Sequence, residues 1–470
     1  MELFQNFANY LAENFWNVYM ISFLLGTGLL LTFFTKGIQI REFLTGWSLI
    51  FKGALRKDLS SDEIGEITPF QALTATLSGV IGNGNIAGVA TTITLGGPGG
   101  IVWMWATSLV GMATKFSEVF LSMKYRKTHK DGTMAGGPMY YIRNGLKDKP
   151  FIKHLAISLS IMFALCGALT ALGTGNMIQS NSIALAFKTQ FNIPFWVSGF
   201  IIVLIVGMVI LGGIKRIGAV AEILIPFMVF VYILCSFIIL IINIAKIPPA
   251  FSFIIKSAFT PQAVIGGYIG HTVRQAVRVG VSIGLLSNEA GDGCAAIVHG
   301  AAKTKSPINQ SLIAMIDPFI DTILICTMTA LCIIVTGAYT KVDPSTGLAL
   351  TSTALTTEAF NTSLPYLGGM AISFSSFLFG YSTIIGWYYI GEQCVEYLFG
   401  IRITKGFKIG FLGLVFIGAL LQESNLPALW DIAVVFMGLM VIPNLIALLF
   451  MSSSIRKDVK EYYKNKKLNN

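Results

Sequence analysis

Charged residues are scarce in this chain of 470 residues. Asp, Glu, Lys and Arg together make up 12% of the sequence, hydrophobic residues make up 54%, and the mean hydropathy is +0.71. Soluble globular proteins carry about 25% charged residues, which they need to cover their surface. The composition therefore excludes a water-soluble protein and predicts a single membrane domain over residues 1–470.

The residue patterns of common metal sites and ATP-using enzymes are also missing. The six cysteines show no C-x-x-C spacing, and the four histidines are scattered and form no H-E-x-x-H motif. No G-x-x-x-x-G-K-[ST] sequence is present, so this type of nucleotide-binding loop is excluded. Rings of repeated polar residues, which would indicate an ion channel, are not found. We predict buried free thiols, no resident cofactor and no enzymatic activity.

Eleven apolar segments recur from one end of the sequence to the other. Most are long enough, as helices, to cross a hydrocarbon core of about 30 Å. They predict an all-α membrane protein with eleven transmembrane helices. The predicted spans are residues 16–35, 68–94, 98–123, 155–187, 194–213, 217–244, 261–286, 309–337, 365–391, 407–422 and 426–450.

Lysine and arginine are unevenly distributed between the loops. Of the 33 basic residues, 26 lie in the C-terminal tail 451–470 and in the loops after the first, third, fifth, seventh and ninth spans. Basic residues accumulate on the cytoplasmic side, which predicts an external N-terminus and a cytoplasmic C-terminus in the plasma membrane of a prokaryote. The net charge of +10 thus reflects topology and not binding of nucleic acid. The basic tail is expected to be mobile and to contact the membrane surface.

The second predicted span contains a tract that forms helices poorly. Residues 78–88 read SGVIGNGNIAG, with four glycines and two asparagines near the middle of the membrane. Close packing against another helix would explain the glycines, whereas an unwound segment explains the asparagines as well. A second glycine cluster, at Gly266–His271, lies in the predicted span 261–286.

These two spans lie five spans apart, so they run in opposite directions across the membrane. Interrupted helices at corresponding places in two halves are typical of inverted-repeat transporters. We therefore predict a leading helix at 16–35, a first repeat at 68–244 and a second repeat at 261–450, with discontinuous first and sixth core helices. Free N–H groups at such a break attract a carboxylate, and free C=O groups suit Na⁺.

Five short motifs follow one another in a fixed order. They are GNGNIAGVA at 82–90, GGIVWMW at 99–105, GGPMYY at 136–141, SNEAG at 287–291 and STIIGW at 382–387. Together they resemble the alanine/glycine:cation symporter family, also called the sodium:alanine symporters. The resemblance implies eleven helices, of which the last ten share the fold of the leucine transporter. Asn83 stands where members of this family commonly have threonine, so we expect a different substrate preference.

The same resemblance implies a Na⁺ site between the spans 68–94 and 365–391. Na⁺ is a hard cation that suits neutral oxygen ligands. The ligands implied are main-chain carbonyls and two hydroxyls, from Ser78, Ile81, Phe379, Ser382 and Thr383. Back-bonding to the preceding helical turn is the alternative role for the two hydroxyls.

The amino-acid site is expected at the same break. Its carboxylate should meet the N–H groups of the tract, which place the substrate beside Gly82, Asn83, Gly84 and Asn85. Asn85 also resembles the asparagine that binds a second Na⁺ in the wider fold. Gln179 is the main candidate to accept the ammonium group and Gln71 a further one, although such amides also hold helices together.

Charged residues inside the predicted spans need partners. We predict a cytoplasmic gate formed by Arg274, Arg278, Glu289 and Asp292, and plain structural pairing would explain the same charges. Lys115 is three residues from Glu118, so we expect these two side chains to pair. The two arginines are expected to neutralise Asp317 and Asp321.

The sequence thus predicts a sodium-coupled symporter that imports alanine or glycine by alternating access. Na⁺ and a small amino acid would be its partners, together with the lipid bilayer. The alternative is an H⁺-coupled symporter of another small neutral amino acid, such as glutamine or serine. Residues 68–94 contain no Asp or Glu, which favours Na⁺ over H⁺.

Overall fold

The computed structural model describes residues 5, 7, 10–11, 15–55, 64–129, 132–147, 152–261, 272–343, 347–421 and 426–468. Helices make up nearly all of this part of the chain. Within it, β-strands occur only as the short antiparallel pair β1 (Lys127–Thr128) and β2 (Met134–Ala135). The predicted all-α class is confirmed.

The helices follow one another with short connections. The first half contains α1 (Val18–Phe34), α2 (Ile38–Arg41), α3 (Phe43–Leu55), α4 (Pro69–Val80), α5 (Val89–Gly96), α6 (Gly100–Tyr125), α7 (Pro138–Gly145), α8 (Lys153–Leu172), α9 (Ile178–Phe191), α10 (Phe195–Ile210) and α11 (Gly213–Ile242). The second half contains α12 (Ile247–Phe259), α13 (Val273–Asn288), α14 (Cys294–Gly300), α15 (Pro307–Ala314), α16 (Thr327–Val335), α17 (Ser352–Ser363), α18 (Leu367–Phe399), α19 (Thr404–Leu420) and α20 (Leu426–Leu468). Turns of π-helix at Gly84–Gly88, Gly173–Met177 and Phe319–Cys326 join several of them.

Large apolar side chains cover the outside of the bundle. Phe200 and Leu204 on α10, and Phe227 and Phe230 on α11, are exposed. Helices that are apolar on every face belong in a membrane. Five helical segments of the described chain are long and apolar enough to cross a membrane, and α1 and α10 are shorter apolar helices. The count of eleven spans stays a prediction.

The helix predicted at 261–286 has different boundaries in the structure. The glycine cluster at Gly266–His271 lies outside the described residues. The helix α13 begins after Thr272, whose hydroxyl caps it by accepting the Gln275 N–H, and it continues to Asn288. A second, shorter helix, α14, follows after five residues.

The C-terminal segment was expected to be a mobile tail, and this expectation is wrong for residues 451–468. These residues prolong α20, and Ile455 and Val459 are buried against the rest of the protein. The Lys466 ammonium lies 2.7 Å from the Glu42 carboxylate. The extension therefore docks on the protein and is held there partly by apolar contacts. The basic composition of the tail gave no indication of these contacts.

The interrupted segment α4–α5 lies at the centre of the bundle. The helix α4 packs against α11 and α18, and α5 packs against α13. The neighbouring helices α13 and α6 approach very closely, since a Cβ added to Gly280 would fall 2.2 Å from the Gly100 carbonyl oxygen. Glycine at position 280 is what allows this contact.

Candidate functional site

The second predicted span is broken within its glycine–asparagine tract. The helix α4 ends at Val80, and Ile81 has extended backbone (φ −75°, ψ 97°). Helical geometry resumes in the π-turn Gly84–Gly88, which leads into α5. The break predicted from the weak helix propensity of this tract is therefore present.

Side-chain and main-chain groups reorganise at this first break. The Gly82 N–H donates to Asn85 Oδ1 at 2.9 Å, so a side chain replaces the helical acceptor. The N–H groups of Asn83 and Gly84 pair with no acceptor within the described chain. Two donors of the main chain are therefore available to a ligand.

A second break separates α13 from α14. Glu289, Gly291 and Gly293 have φ values of 51°, 106° and 83°, which turn the chain out of helical geometry. Glycine adopts this left-handed region at no steric cost, whereas a glutamate is uncommon there. The glycines of the motif SNEAGDG thus mark this second break, whereas the break predicted at Gly266–His271 lies outside the described residues.

One buried carboxylate joins the two breaks. The side-chain amide of Asn85 donates to Asp321 Oδ1, and the Ser287 hydroxyl donates to Asp321 Oδ2 at 2.8 Å. Thr322 donates to the same oxygen at 2.8 Å. Asp321 was expected to meet Arg274 or Arg278, which is wrong. Since Asp321 supplies a carboxylate from another segment, the lack of an acid in 68–94 no longer argues against proton coupling.

A cavity of about 1440 Å³ lies beside the first break. Its inner walls include Gly82, Asn83, Gly84, Gln179, Glu289, Thr383 and Trp387, and its mouth includes Val342, Thr351 and Glu358. The Asn83 amide donates to Gln179 Oε1 at 3.2 Å. Asn83 Oδ1 is buried and accepts no hydrogen bond from the described residues. The structure thus brings Asn83 and Gln179 together at the cavity. It leaves Asn83 Oδ1 without a hydrogen-bond donor from the described residues.

Two of the residues implied in Na⁺ binding, Ser78 and Thr383, lie where α4 contacts α18. A Cβ on Gly82 would fall 2.9 Å from Thr383 Oγ1, and one on Gly386 would fall 2.6 Å from Ser78 Oγ. Ser382 and Thr383 both donate to the Phe379 carbonyl at 2.9 Å. Their hydroxyl oxygens keep lone pairs for a cation. The Phe379 carbonyl oxygen, by contrast, already accepts two hydrogen bonds from side chains.

Gln71 does not reach this site. Its side chain accepts the Thr68 N–H at 3.0 Å, and its own N–H donates to the Thr68 hydroxyl at 3.0 Å. This reciprocal pair is a capping box at the start of α4, about 14 Å from Val80 along the helix. The prediction that Gln71 binds substrate is wrong, because its side-chain oxygen caps the start of α4.

The predicted gate is not assembled. Arg274 and Arg278 are exposed on α13. Arg278 lies 11 residues before Glu289, which is about 16 Å along a helix. Glu289 and Asp292 do come together at the second break, but without the arginines. The gate prediction fails because it assumed that all four residues lie at one end of a helix.

The buried lysine has a different partner from the one expected. Lys115 Nζ contacts Asp317 Oδ2 at 2.5 Å and the Asn288 carbonyl oxygen at 2.8 Å. Glu118 instead accepts the Asn444 amide at 2.6 Å. The expected Lys115–Glu118 pair is therefore wrong, and Lys115 holds the carbonyl end of α13 at the second break.

Arg126 joins segments of the chain that are far apart in the sequence. Its guanidinium donates to four main-chain oxygens at 2.7 to 3.3 Å, those of Ile64, Gly300, Ala302 and Thr304. It thereby ties the segment before α4 to the segment after α14, which also form a parallel bridge. Sequence reasoning missed this residue, since it is one of many basic residues in a polar loop.

Gly175 leaves room for Trp387 in the cavity wall. A Cβ at position 175 would fall 2.3 Å from Trp387 Cβ. We expect Gly175→Ala to lower the free energy of unfolding by about 1–3 kcal/mol, because Trp387 must move. Thermal unfolding measures this effect. Gly413→Ala is the control, since a Cβ there meets nothing within 4 Å; equal behaviour of the two variants would contradict the prediction.

Known proteins resemble the chain over its full length. The sequence profile of the sodium:alanine symporter family matches residues 1–470. The chain is 42% identical to the sodium/alanine symporter AgcS of Methanococcus maripaludis, over 98% of this chain and 97% of that protein. It is 35% identical to the sodium/proton-dependent alanine carrier protein of Bacillus sp. (strain PS3), over 86% and 89%.

A solved structure has the same overall architecture. MhsT in complex with L-phenylalanine matches with a TM-score of 0.55 at 13% identity, over 86% of this chain and 99% of that one. At this identity the likeness shows the fold alone, and that fold is the one of the leucine transporter.

Proposed function

Because the chain belongs to the sodium:alanine symporter family, we propose that it couples entry of Na⁺ to import of alanine or glycine by alternating access. The family resemblance found in five motifs is confirmed; the family and its relatives are transporters, and the apolar helices indicate a multi-pass membrane protein. The observation that carries the proposal is the first break, where the unpaired N–H groups, the Asn83–Gln179 amide pair and the Thr383 hydroxyl belong to residues that line one cavity.

The amino acid would bind between the first break and Gln179. Its carboxylate meets the unpaired N–H groups of Asn83 and Gly84, which form the positive end of the half-helix. Its ammonium group meets Asn83 Oδ1, the buried oxygen that lacks a donor. A ligand that supplies this donor removes an unfavourable buried acceptor. The indole of Trp387 in the wall favours a small side chain.

The Na⁺ ion would bind where α4 ends against α18. We assign its ligands to the hydroxyls of Ser382 and Thr383 and to carbonyl oxygens near Ser78 and Ile81. Phe379 is left out, since its oxygen already accepts two hydroxyls. Asn85 is also engaged, because its oxygen accepts the Gly82 N–H and its amide reaches Asp321. We therefore propose one Na⁺ site and no second ion at Asn85.

The structure would represent the outward-facing state. By the distribution of basic residues, the cavity mouth near Thr351 is external and the face closed by Arg126 is cytoplasmic. Binding of Na⁺ and substrate joins α4, α5 and α18, and release follows when the inner face opens. Each Na⁺ that enters gains about 2.3 kcal/mol per 100 mV of membrane potential, which drives accumulation without ATP.

Uptake of labelled alanine into proteoliposomes tests this function. Gradients of Na⁺, of K⁺ and of pH are imposed separately, each with the other driving ions absent. We expect accumulation with the Na⁺ gradient alone. Accumulation driven by a pH gradient in the complete absence of Na⁺ would overturn sodium coupling. Uptake of glutamine or serine with no uptake of alanine or glycine would overturn the substrate assignment.

A further inference from the structure

Acidic side chains outnumber basic ones in the buried cluster at the second break. Lys115 is its one basic side chain within the described residues, and it is paired with Asp317. The cluster contains five carboxyl groups that are at most 6% exposed, those of Glu118, Glu289, Asp292, Asp317 and Asp321. Four negative charges would therefore remain if every carboxyl group were ionised.

Such an excess is not stable in a dry interior. An isolated buried carboxylate costs so much free energy that it takes up a proton instead. Neighbouring carboxylates oppose one another's ionisation, which makes one of a pair retain a proton. The cluster must therefore hold at least one positive charge besides Lys115.

Glu289 and Asp292 are the pair best placed to share this charge. Carboxylate oxygens of the two residues and the Cys294 sulfur all lie within 4.8 Å of one another. Asp292 Oδ1 accepts the Cys294 N–H at 2.8 Å, whereas Asp292 Oδ2 is buried and accepts nothing from the described chain. Glu118 Oε2, from the neighbouring helix α6, is also buried without a donor.

These unused acceptors indicate a missing donor. Both belong to side chains that are at most 2% exposed. Glu118 is held beside the break, because the Asn444 amide donates both to Glu118 Oε1 at 2.6 Å and to the Gly291 carbonyl at 2.8 Å. A protonated carboxyl group supplies an O–H donor, whereas a thiol makes Cys294 a poor neighbour for Na⁺.

The cluster is open to the cavity through one residue. Glu289 lines the cavity wall, and it is the member of the Glu289–Asp292 pair that does so. The remaining groups that face the pair are Lys115 and Glu118 of α6, Asp317 and Asp321 of the segment after α15, and Tyr141 of α7, whose hydroxyl donates to Asn444. A proton from water in the cavity reaches the pair only at Glu289.

We propose that Glu289 and Asp292 form a proton site, and that the proton crosses the membrane together with Na⁺ and the amino acid. Hydronium in the cavity gives its proton to a Glu289 carboxylate oxygen, and water remains behind; Asp292 Oδ2 accepts the resulting O–H. When the inner face opens, the proton returns to water on that side. The proposal rests on the proposed function and assigns a proton site to two residues of this chain.

The test records proton movement directly. Proteoliposomes contain a pH-sensitive dye, hold equal Na⁺ concentrations on both sides and are clamped at zero potential with K⁺ and valinomycin. We expect external alanine to acidify the interior, and an acidic exterior to drive alanine accumulation under the same equal Na⁺. The variants Glu289→Gln and Asp292→Asn should lose both effects. Cys294→Ser, at the same cluster, should keep them.

Each result decides between the two proposals. Alanine uptake by the wild-type protein without acidification would overturn the proton site and leave sodium symport standing. Absence of alanine uptake in every gradient would overturn the proposed function itself. Alanine-dependent uptake of ²²Na⁺ that falls in Glu289→Gln, with no proton movement in the wild type, would show a sodium site instead. If both acid variants fail to fold in thermal unfolding, the wild-type measurement alone decides.

Discussion

Replacing Thr383 with valine is expected to raise the Na⁺ concentration that half-saturates alanine uptake by about 10-fold or more, because about 1.4 kcal/mol of binding is lost per factor of ten. Valine keeps the shape of the side chain and removes one proposed ligand oxygen. That oxygen lies so close to Gly82 that a Cβ there would fall 2.9 Å from it, which places it at the end of α4. Alanine uptake measured over a range of Na⁺ concentrations gives the shift.

Thr170→Val provides a matched control for this variant. The Thr170 hydroxyl is buried and donates to the Cys166 carbonyl at 2.8 Å, which is the same kind of back-bond at a residue that does not line the cavity. We expect this variant to keep the wild-type Na⁺ dependence. Should Thr383→Val fold normally and also keep it, the hydroxyl would be a structural back-bond and the Na⁺ site would lie elsewhere.

Replacing Arg126 with glutamine is expected to shift the protein away from the outward-open state. The change removes charged hydrogen bonds to four carbonyls, and such bonds contribute about 1.5–3 kcal/mol each. Since these bonds would close the inner face in the proposed outward-facing state, their loss should favour opening there. The substitution Thr91→Cys introduces a reporter thiol in the cavity wall. Combined with Arg126→Gln, this thiol should react about 10-fold or more slowly with an impermeant maleimide from outside.

The comparison for this experiment is Arg143→Gln. Arg143 is exposed in α7, in the same connection between α6 and α8, so the substitution removes the same charge without removing the four bonds. The reporter thiol should react in this background at the rate of the parent, which carries Thr91→Cys alone. If Arg126→Gln leaves the parental rate unchanged as well, Arg126 only stabilises the loop and does not hold the inner face closed.

Local composition was enough to locate the first break. Four glycines and two asparagines form a weak helix, and the asparagines also needed partners, so an unwound tract followed from propensity and burial together. The all-α class and the family followed from apolar runs and motifs in the same way. These features depend on residues that are neighbours in the sequence, which is why they could be predicted.

The second break and the charge partners depend on contacts that a single sequence does not display. Gly266–His271 was the more obvious glycine cluster, whereas the chain turns at Gly291 and Gly293, where positive φ is required. Lys115 reaches Asp317, which is 202 residues away, and not Glu118 on its own helix. Asp321 likewise finds Asn85 and Ser287 through the fold.

The long helix α20 has a mechanical consequence. Its 43 residues span about 65 Å, so roughly half of it projects beyond a hydrocarbon core of about 30 Å. Two ion pairs hold this projection against the protein: Lys124 with Asp458, and Glu42 with Lys466. The projection is therefore a helical continuation of the last span that moves together with the segments it is paired with: a tilt of about 10° at the membrane surface would carry Leu468 through about 5 Å. A label at that end would magnify small motions of the transmembrane bundle into a readable displacement.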